Sequence, residues 1–271
     1  MKKIGLYLMI ISILLAGIFC TAGCRAVLIP ADEKIESGEL ETRQFDYDEF
    51  TDINIDGAFK YEIKKADNWS ISITAGSNLF EYINVTKSGQ VLDIDINILD
   101  GPIWISRSYP IPQAVITLPE LTDLKCSGAT DGTVTGFRSD ANLDISLDGA
   151  SEVELSGLAV GKTFLDISGA SSISGGIRAD SIEIDITSAG GVYLEGSADY
   201  LTVEAGGASK MHLPDFIALN ADITLRDASR GVFNLVETLN ARVNGASTLE
   251  YFGEPVIGTL DVSGASTFRK K

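Results

Sequence analysis

The strongest constraint on this chain is a short motif that returns at a nearly fixed interval. It reads SGAT at Ser127, DGAS at Asp148, SGAS at Ser168, SAGG at Ser188, GGAS at Gly206, DAS at Asp227, NGAS at Asn244 and SGAS at Ser263. Its alanines are Ala129, Ala150, Ala170, Ala189, Ala208, Ala228, Ala246 and Ala265, with gaps of 21, 20, 19, 19, 20, 18 and 19 residues. DGAF at Asp56 reads as an earlier copy. Repetition with so little drift marks an array of like units.

Aligning the units on that alanine exposes a second regularity. Five residues before it stand Leu124, Ile145, Leu165, Ile184, Val203, Ile223, Ala241 and Leu260. Three before it stand Cys126, Leu147, Ile167, Ile186, Ala205, Leu225, Val243 and Val262. Between them lie polar residues such as Lys125, Ser146, Asp166, Asp185 and Glu204. Apolar–polar–apolar at period two is a strand with one buried face. A second short alternation follows each motif, as at Val153 and Leu155 or Met211 and Leu213. A third apolar position follows at Phe137, Leu158, Ile177 and Ile217.

A unit this short cannot bury its own apolar face, but stacked on its neighbours it completes a continuous column. The fold predicted is all-β: a right-handed parallel β-helix of about 19–20-residue coils. Glycine at the motif suits a corner that needs positive φ. The Ser or Thr after the alanine is expected to stack into a hydroxyl ladder. The repeat region runs over 121–268, and 45–120 reads as a less regular β cap with the first coils; together 45–268 form one continuous domain. A solenoid end must be covered, or its edge pairs with other chains.

The N-terminus gives an address. Lys2 and Lys3 precede an uncharged apolar run from Ile4 to Phe19, and Thr21-Ala22-Gly23-Cys24 follows. Residues 1–23 read as a signal peptide. The small residues before Cys24 resemble the lipobox of bacterial lipoproteins, which implies lipidation at Cys24, with 24–44 as lipidated residue and tether. The chain is then expected on a bacterial cell envelope, lipid-anchored and extracytoplasmic, with the membrane as partner through that lipid. Removing the leader takes the formal charge from −17 to −19. Such a charge excludes nucleic acid as a partner, because binding there depends on Lys and Arg at phosphates. One histidine and three cysteines exclude poly-His metal sites and a disulfide framework.

The opening Phe50-Thr51-Asp52-Ile53-Asn54-Ile55-Asp56-Gly57-Ala58 resembles the GIN-domain family, described as autotransporter-adhesin head domains on bacterial lipoproteins. So do Ile116-Thr117-Leu118-Pro119-Glu120-Leu121 and the units at Leu165 to Ser171 and Leu260 to Ser266. The resemblance covers roughly 46–268. It implies a β-helical fold, an extracytoplasmic place and adhesion, and it supplies no catalytic residues.

Candidate chemistry is sparse. Asp166, Asp185 and Glu204 occupy one outward slot in successive units. Three oxygen-bearing side chains about 5 Å apart are the kind of ligand Ca²⁺ takes, and paired carboxylates at such spacing serve glycosidases. The plainer reading is a solvated acidic face, with no metal or other cofactor. Trp104, Arg107 and Tyr109 gather between prolines, either as a ligand-binding loop or as a plug for the column. His212 should point outward and Cys126 should lie buried and inert. The expected function is a non-catalytic binding or adhesion-type module for a glycan or an envelope or cell-surface protein. The alternative is a polysaccharide-active lyase or hydrolase, argued from fold analogy alone.

Overall fold

The computed structural model describes residues 38–96 and 110–271. They form one sheet system of β1 (Leu40–Phe45), β2 (Asp52–Gly57), β3 (Lys60–Lys65), β4 (Ser70–Gly76), β5 (Ile83–Ser88), β6 (Val91–Ile96), β7 (Gln113–Leu118), β8 (Asp123–Gly128) and β9 (Asp131–Thr135), followed by β10 (Leu143–Leu147), β11 (Glu152–Ile167), β12 (Ser172–Ile186), β13 (Gly191–Ala205), β14 (Lys210–Leu225), β15 (Arg230–Val243), β16 (Thr248–Phe252), β17 (Val256–Val262) and β18 (Thr267–Lys270). Apart from a 3₁₀ turn at Ser77–Leu79, no helix occurs among the described residues.

Consecutive units stack in parallel and in register. Leu165 lies over Ile145 on one side and under Ile184 on the other, and Ile167 over Leu147 and under Ile186. The repeat is therefore a parallel β-solenoid, and the two apolar slots read from the sequence are its core. Leu165, Ile167, Ile184, Val203, Ala205 and Leu225 are all buried. Each coil has three faces. Face 1 precedes the motif, face 2 follows it, and face 3 is a short segment after the next bend, as at Leu158–Val160 of β11 paired with Ile177–Ala179 of β12.

The motif corner has a steric cause. Gly128, Gly149, Gly169, Gly207, Gly245 and Gly264 all have φ between 67° and 85°. A Cβ on Gly149 would stand 2.4 Å from the Gly128 carbonyl oxygen of the coil beneath, so both the dihedral and the stacking demand glycine. In the sixth unit Asp227 takes the slot at φ 64°, and its carboxylate accepts a hydrogen bond from the Gly207 N–H at 2.9 Å. A short polar side chain that bonds locally is the usual exception to the glycine rule.

The motif hydroxyls form a buried seam. Thr130, Ser151, Ser171, Ser209, Ser229 and Ser247 are almost fully covered. Ser209 and Ser229 pair at 3.0 Å, and the Ser151 N–H donates to Ser171 Oγ at 3.2 Å. The seam is not one unbroken ladder, since Ser151 and Ser229 each turn back to a carbonyl three residues earlier. Another expectation is corrected at Ile217. This residue faces outward at 45% exposure, while Phe216 fills the buried slot. Pro214 and Asp215 put extra length into β14, the register shifts between Leu213 and Ile217, and a one-residue slip turns the side chain over.

The first coil is β2 and β3. They stack directly beneath β8 and β9, with Ile55 against Cys126 and Ile63 against Val134. The intervening chain returns to the other edge of that coil: β6 pairs in parallel with β2, and β7 with β3. Then the direction reverses. β5 runs antiparallel to β6, β4 to β7, and β1 to β4. Trp69 packs here, its indole N–H donating to the Phe50 carbonyl at 2.9 Å. At the other end β17 and β18 make the last coil, whose inward residues Leu260 and Val262 are 46% and 41% exposed.

Candidate functional site

The acidic slot is assembled as a row. Asp166 pairs with Asp185, Asp185 with Glu204, and Glu204 with Thr224, all on face 1. Burial raises the Asp185 carboxyl above its ordinary range, and the neighbouring Asp166 and Glu204 charges raise it further. Desolvation of the charged form is the larger cause, and repulsion from like charges directly opposite across the strands adds to it. Arg226 relieves one end by holding the Glu204 carboxylate at 3.1 Å. No group of three or more His, Cys, Asp or Glu is arranged to hold a metal ion among the described residues.

Beside this row lies a shallow recess of about 450 Å³, lined by Asn54, Lys125, Ser127, Ser146, Asp148 and Ser168 among others. Small side chains on successive coils leave the space. The Ser168 hydroxyl donates to Asp148 at 2.8 Å and, with the Gly149 N–H, holds that carboxyl below its usual range. A second recess, of about 390 Å³, lies at the bend after face 2, where Gly157 and Gly176 carry no side chain. Arg138 and Arg178 border it on one side, Glu195 and Asp215 on the other.

Face 2 carries a feature of different sign. Lys210 and Arg230 lie side by side on β14 and β15, with Tyr193 and His212 in the adjacent outward slot. Of these residues only His212 was singled out in the sequence, as an outward-facing side chain. The signal was present: Lys210 and Arg230 each stand two residues after the motif alanine in consecutive units, and Tyr193 and His212 each stand four after it.

The remaining sequence candidates divide plainly. Cys126 is buried, its thiol donating to the Tyr61 hydroxyl at 3.2 Å, and burial pushes its pKa up to about 11. A thiol so protonated is a poor nucleophile. His212 is exposed, between buried Met211 and Leu213. Cys24, Trp104, Arg107 and Tyr109 lie outside the described residues.

These features define a class: a β-solenoid of one rigid core and three outward faces, patterned by rows of like-placed side chains. The family model described as "Putative auto-transporter adhesin, head GIN domain" matches residues 49–255. The chain belongs to this family. Solved structures share the fold. A putative adhesin from Parabacteroides merdae is similar at TM-score 0.75 and 19% identity, over 86% of this chain and 97% of that one. A putative lipid binding protein from Parabacteroides distasonis is similar at TM-score 0.73 and 20% identity over the same shares. A putative adhesin from the same organism gives TM-score 0.72 at 20% identity, again over 86% and 97%. No curated protein matches the sequence.

Proposed function

We propose that this protein is a lipid-anchored, extracytoplasmic, non-catalytic binding module of a bacterial envelope, acting in the manner of an adhesin head. The observation that supports it most is the in-register stack: a rigid column whose side chains recur at one coil spacing, about 4.8 Å, along three faces. Repetition of this kind suits extended, repeating ligands, because each coil offers the same slot again. Family membership points the same way. Cys24 is the lipid attachment point, and the acidic ectodomain is held by that lipid rather than by attraction to anionic headgroups. The partner is a glycan or an envelope or cell-surface protein.

The full chain, kept in detergent, is incubated with a broad glycan panel and with whole cells, with and without Ca²⁺, and bound and released sugars are read by mass spectrometry. Retention without cleavage is the expected result. Shortened or unsaturated products would overturn the non-catalytic reading and make Asp166, Asp185 and Glu204 the first residues to replace. For the anchor, Cys24→Ser should abolish incorporation of a labelled fatty acid and release the protein from the membrane fraction; retained label would overturn that assignment.

A further inference from the structure

The molecule carries 38 acidic and 21 basic side chains, so a place where cations gather without counter-charges is unusual on it. Face 2 has such a place. Lys210 and Arg230 occupy one outward slot on adjoining coils. Like charges directly opposite one another across parallel strands repel. Elsewhere the described arginines and lysines often have a carboxylate partner, as in Arg226 with Glu204 or Lys60 with Asp131. Neither Lys210 nor Arg230 forms an ion pair with any described residue. The same slot one and two coils earlier holds Gly191 and Ser172, which are uncharged. Glu250, two coils on from His212 in the neighbouring slot, is already taken by Arg269 and Lys271. Other acids along this face stand further off in the register: Glu195 and Asp215 border the recess at its far bend, Glu152 lies in the Lys210 slot three coils earlier, and Glu154 lies in the Tyr193 slot two coils earlier.

An aromatic ring lies beside these cations. Gly191 faces outward yet is buried, because the Tyr193 ring covers it: a Cβ there would stand 2.7 Å from Tyr193 Cε2. The ring therefore lies down along the sheet instead of standing off it, and it is 39% exposed. The Lys210 ammonium is 5.9 Å from the ring centroid. From Tyr193 to Arg230 is two coil steps, about 10 Å. Small Ser172 and Ser174 on the coil before leave the approach to the ring open.

We infer that Tyr193, Lys210 and Arg230 form a binding site for a saccharide bearing a single anionic group, its ring against the tyrosine and its carboxylate or sulfate between the two cations. This rests on the adhesin reading and names the ligand class it serves. Charge-assisted hydrogen bonds to a carboxylate or sulfate are the strong kind, and they relieve the repulsion between the two cations. Tyr presents an apolar face with little side-chain entropy to lose. The molecule as a whole is strongly acidic, so polyanions are disfavoured and an isolated charge among neutral sugars is preferred.

The test uses the full chain with three matched probes: lactose, sialyllactose and sulfated lactose. A fourth arm uses phosphatidylcholine vesicles containing phosphatidylglycerol. The expected result is binding of one or both charged lactoses at least about tenfold tighter than lactose. Sialyllactose against sulfated lactose decides between carboxylate and sulfate. Lys210→Gln and Arg230→Gln should each erase that preference with no loss in thermal midpoint. Tyr193→Ala should weaken all three sugars, Tyr193→Phe should restore them, and Gly191→Ala should displace the ring and mimic Tyr193→Ala. Equal binding of the three lactoses, or a preference that survives both glutamine variants, overturns the site. So does capture by these vesicles beyond that by phosphatidylcholine alone, with none of the sugars bound. In those cases the adhesin reading stands if the chain still retains other panel glycans or adheres to cells; if it retains nothing, both fall.

Discussion

Cys126 shows how one residue can couple the core to pH. Its thiol sits between β2 and β10 on β8, bonded to Tyr61, and its pKa is pushed up to about 11 by burial. Burial also raises the Tyr61 hydroxyl well above its usual range. The folded state therefore holds both protons where the unfolded chain releases them. The contribution of these two groups should be constant below the ordinary thiol pKa near 9 and fall as pH rises toward 11, at up to about 1.4 kcal/mol per pH unit from the thiol alone. Urea unfolding of the wild type and Cys126→Ala at pH 7.5 and 10.5 measures it; an equal pH dependence in both would sink the assignment. The corner glycines give a second residue-scale expectation. Gly149→Ala places a methyl at 2.4 Å from a carbonyl oxygen and at φ 76°, and should cost about 2–4 kcal/mol. Asp227→Gly removes strain and one hydrogen bond together, and should change stability by less than about 1 kcal/mol. Denaturant midpoints of the two variants decide whether backbone conformation or the side-chain bond governs this corner.

At the scale of the coil, the same residue type carries different weight by position in the stack. Leu165 and Leu260 hold equivalent slots, five before the motif alanine. Leu165 is fully buried between Ile145 and Ile184, with a coil on each side. Leu260 has only Ala241 beneath it and is 46% exposed. Leu165→Ala should cost about 2–5 kcal/mol, and Leu260→Ala under about 1 kcal/mol. The contrast tests the stack itself: similar losses at both positions would mean that something covers the last coil. What limits fraying there is polar. Arg269 and Lys271 on the last coil reach back to Glu250, and their hydrogen bonds, Lys271 first, hold that carboxyl below its ordinary range. A lowered carboxylate pKa contributes stability that is present at neutral pH and lost as pH falls through the acid range. These C-terminal charges clamp the final coil to its neighbour.

At the scale of the whole molecule, the repeat was legible because a solenoid stacks like on like. The period placed Leu165 over Ile145 and brought Asp166, Asp185 and Glu204 into one row before any coordinates were needed. Less was legible where the period breaks. Nothing in the local pattern announced that β6 and β7 return beneath β2 and β3, since that pairing spans the irregular insert. Ile217 was misplaced because a bulge inverts its face. Lys210, Arg230 and Tyr193 were visible only to an alignment read for charge as well as hydropathy. The same quasi-one-dimensional build governs how the protein should open. An interior coil has a neighbour above and below, whereas β17 and β18 are paired on one side only, and β1 closes the opposite end through β4 alone. Local opening free energies should therefore rise inward from both ends rather than take one global value. Amide exchange followed by mass spectrometry should show β17, β18 and β1 exchanging first and β11 to β14 last. Removing an interior interface with Leu165→Ala should speed exchange in the coils on either side of it more than at the ends. Uniform protection that collapses together in that variant would show a single cooperative unit, and the nearest-neighbour account of this column would then be wrong.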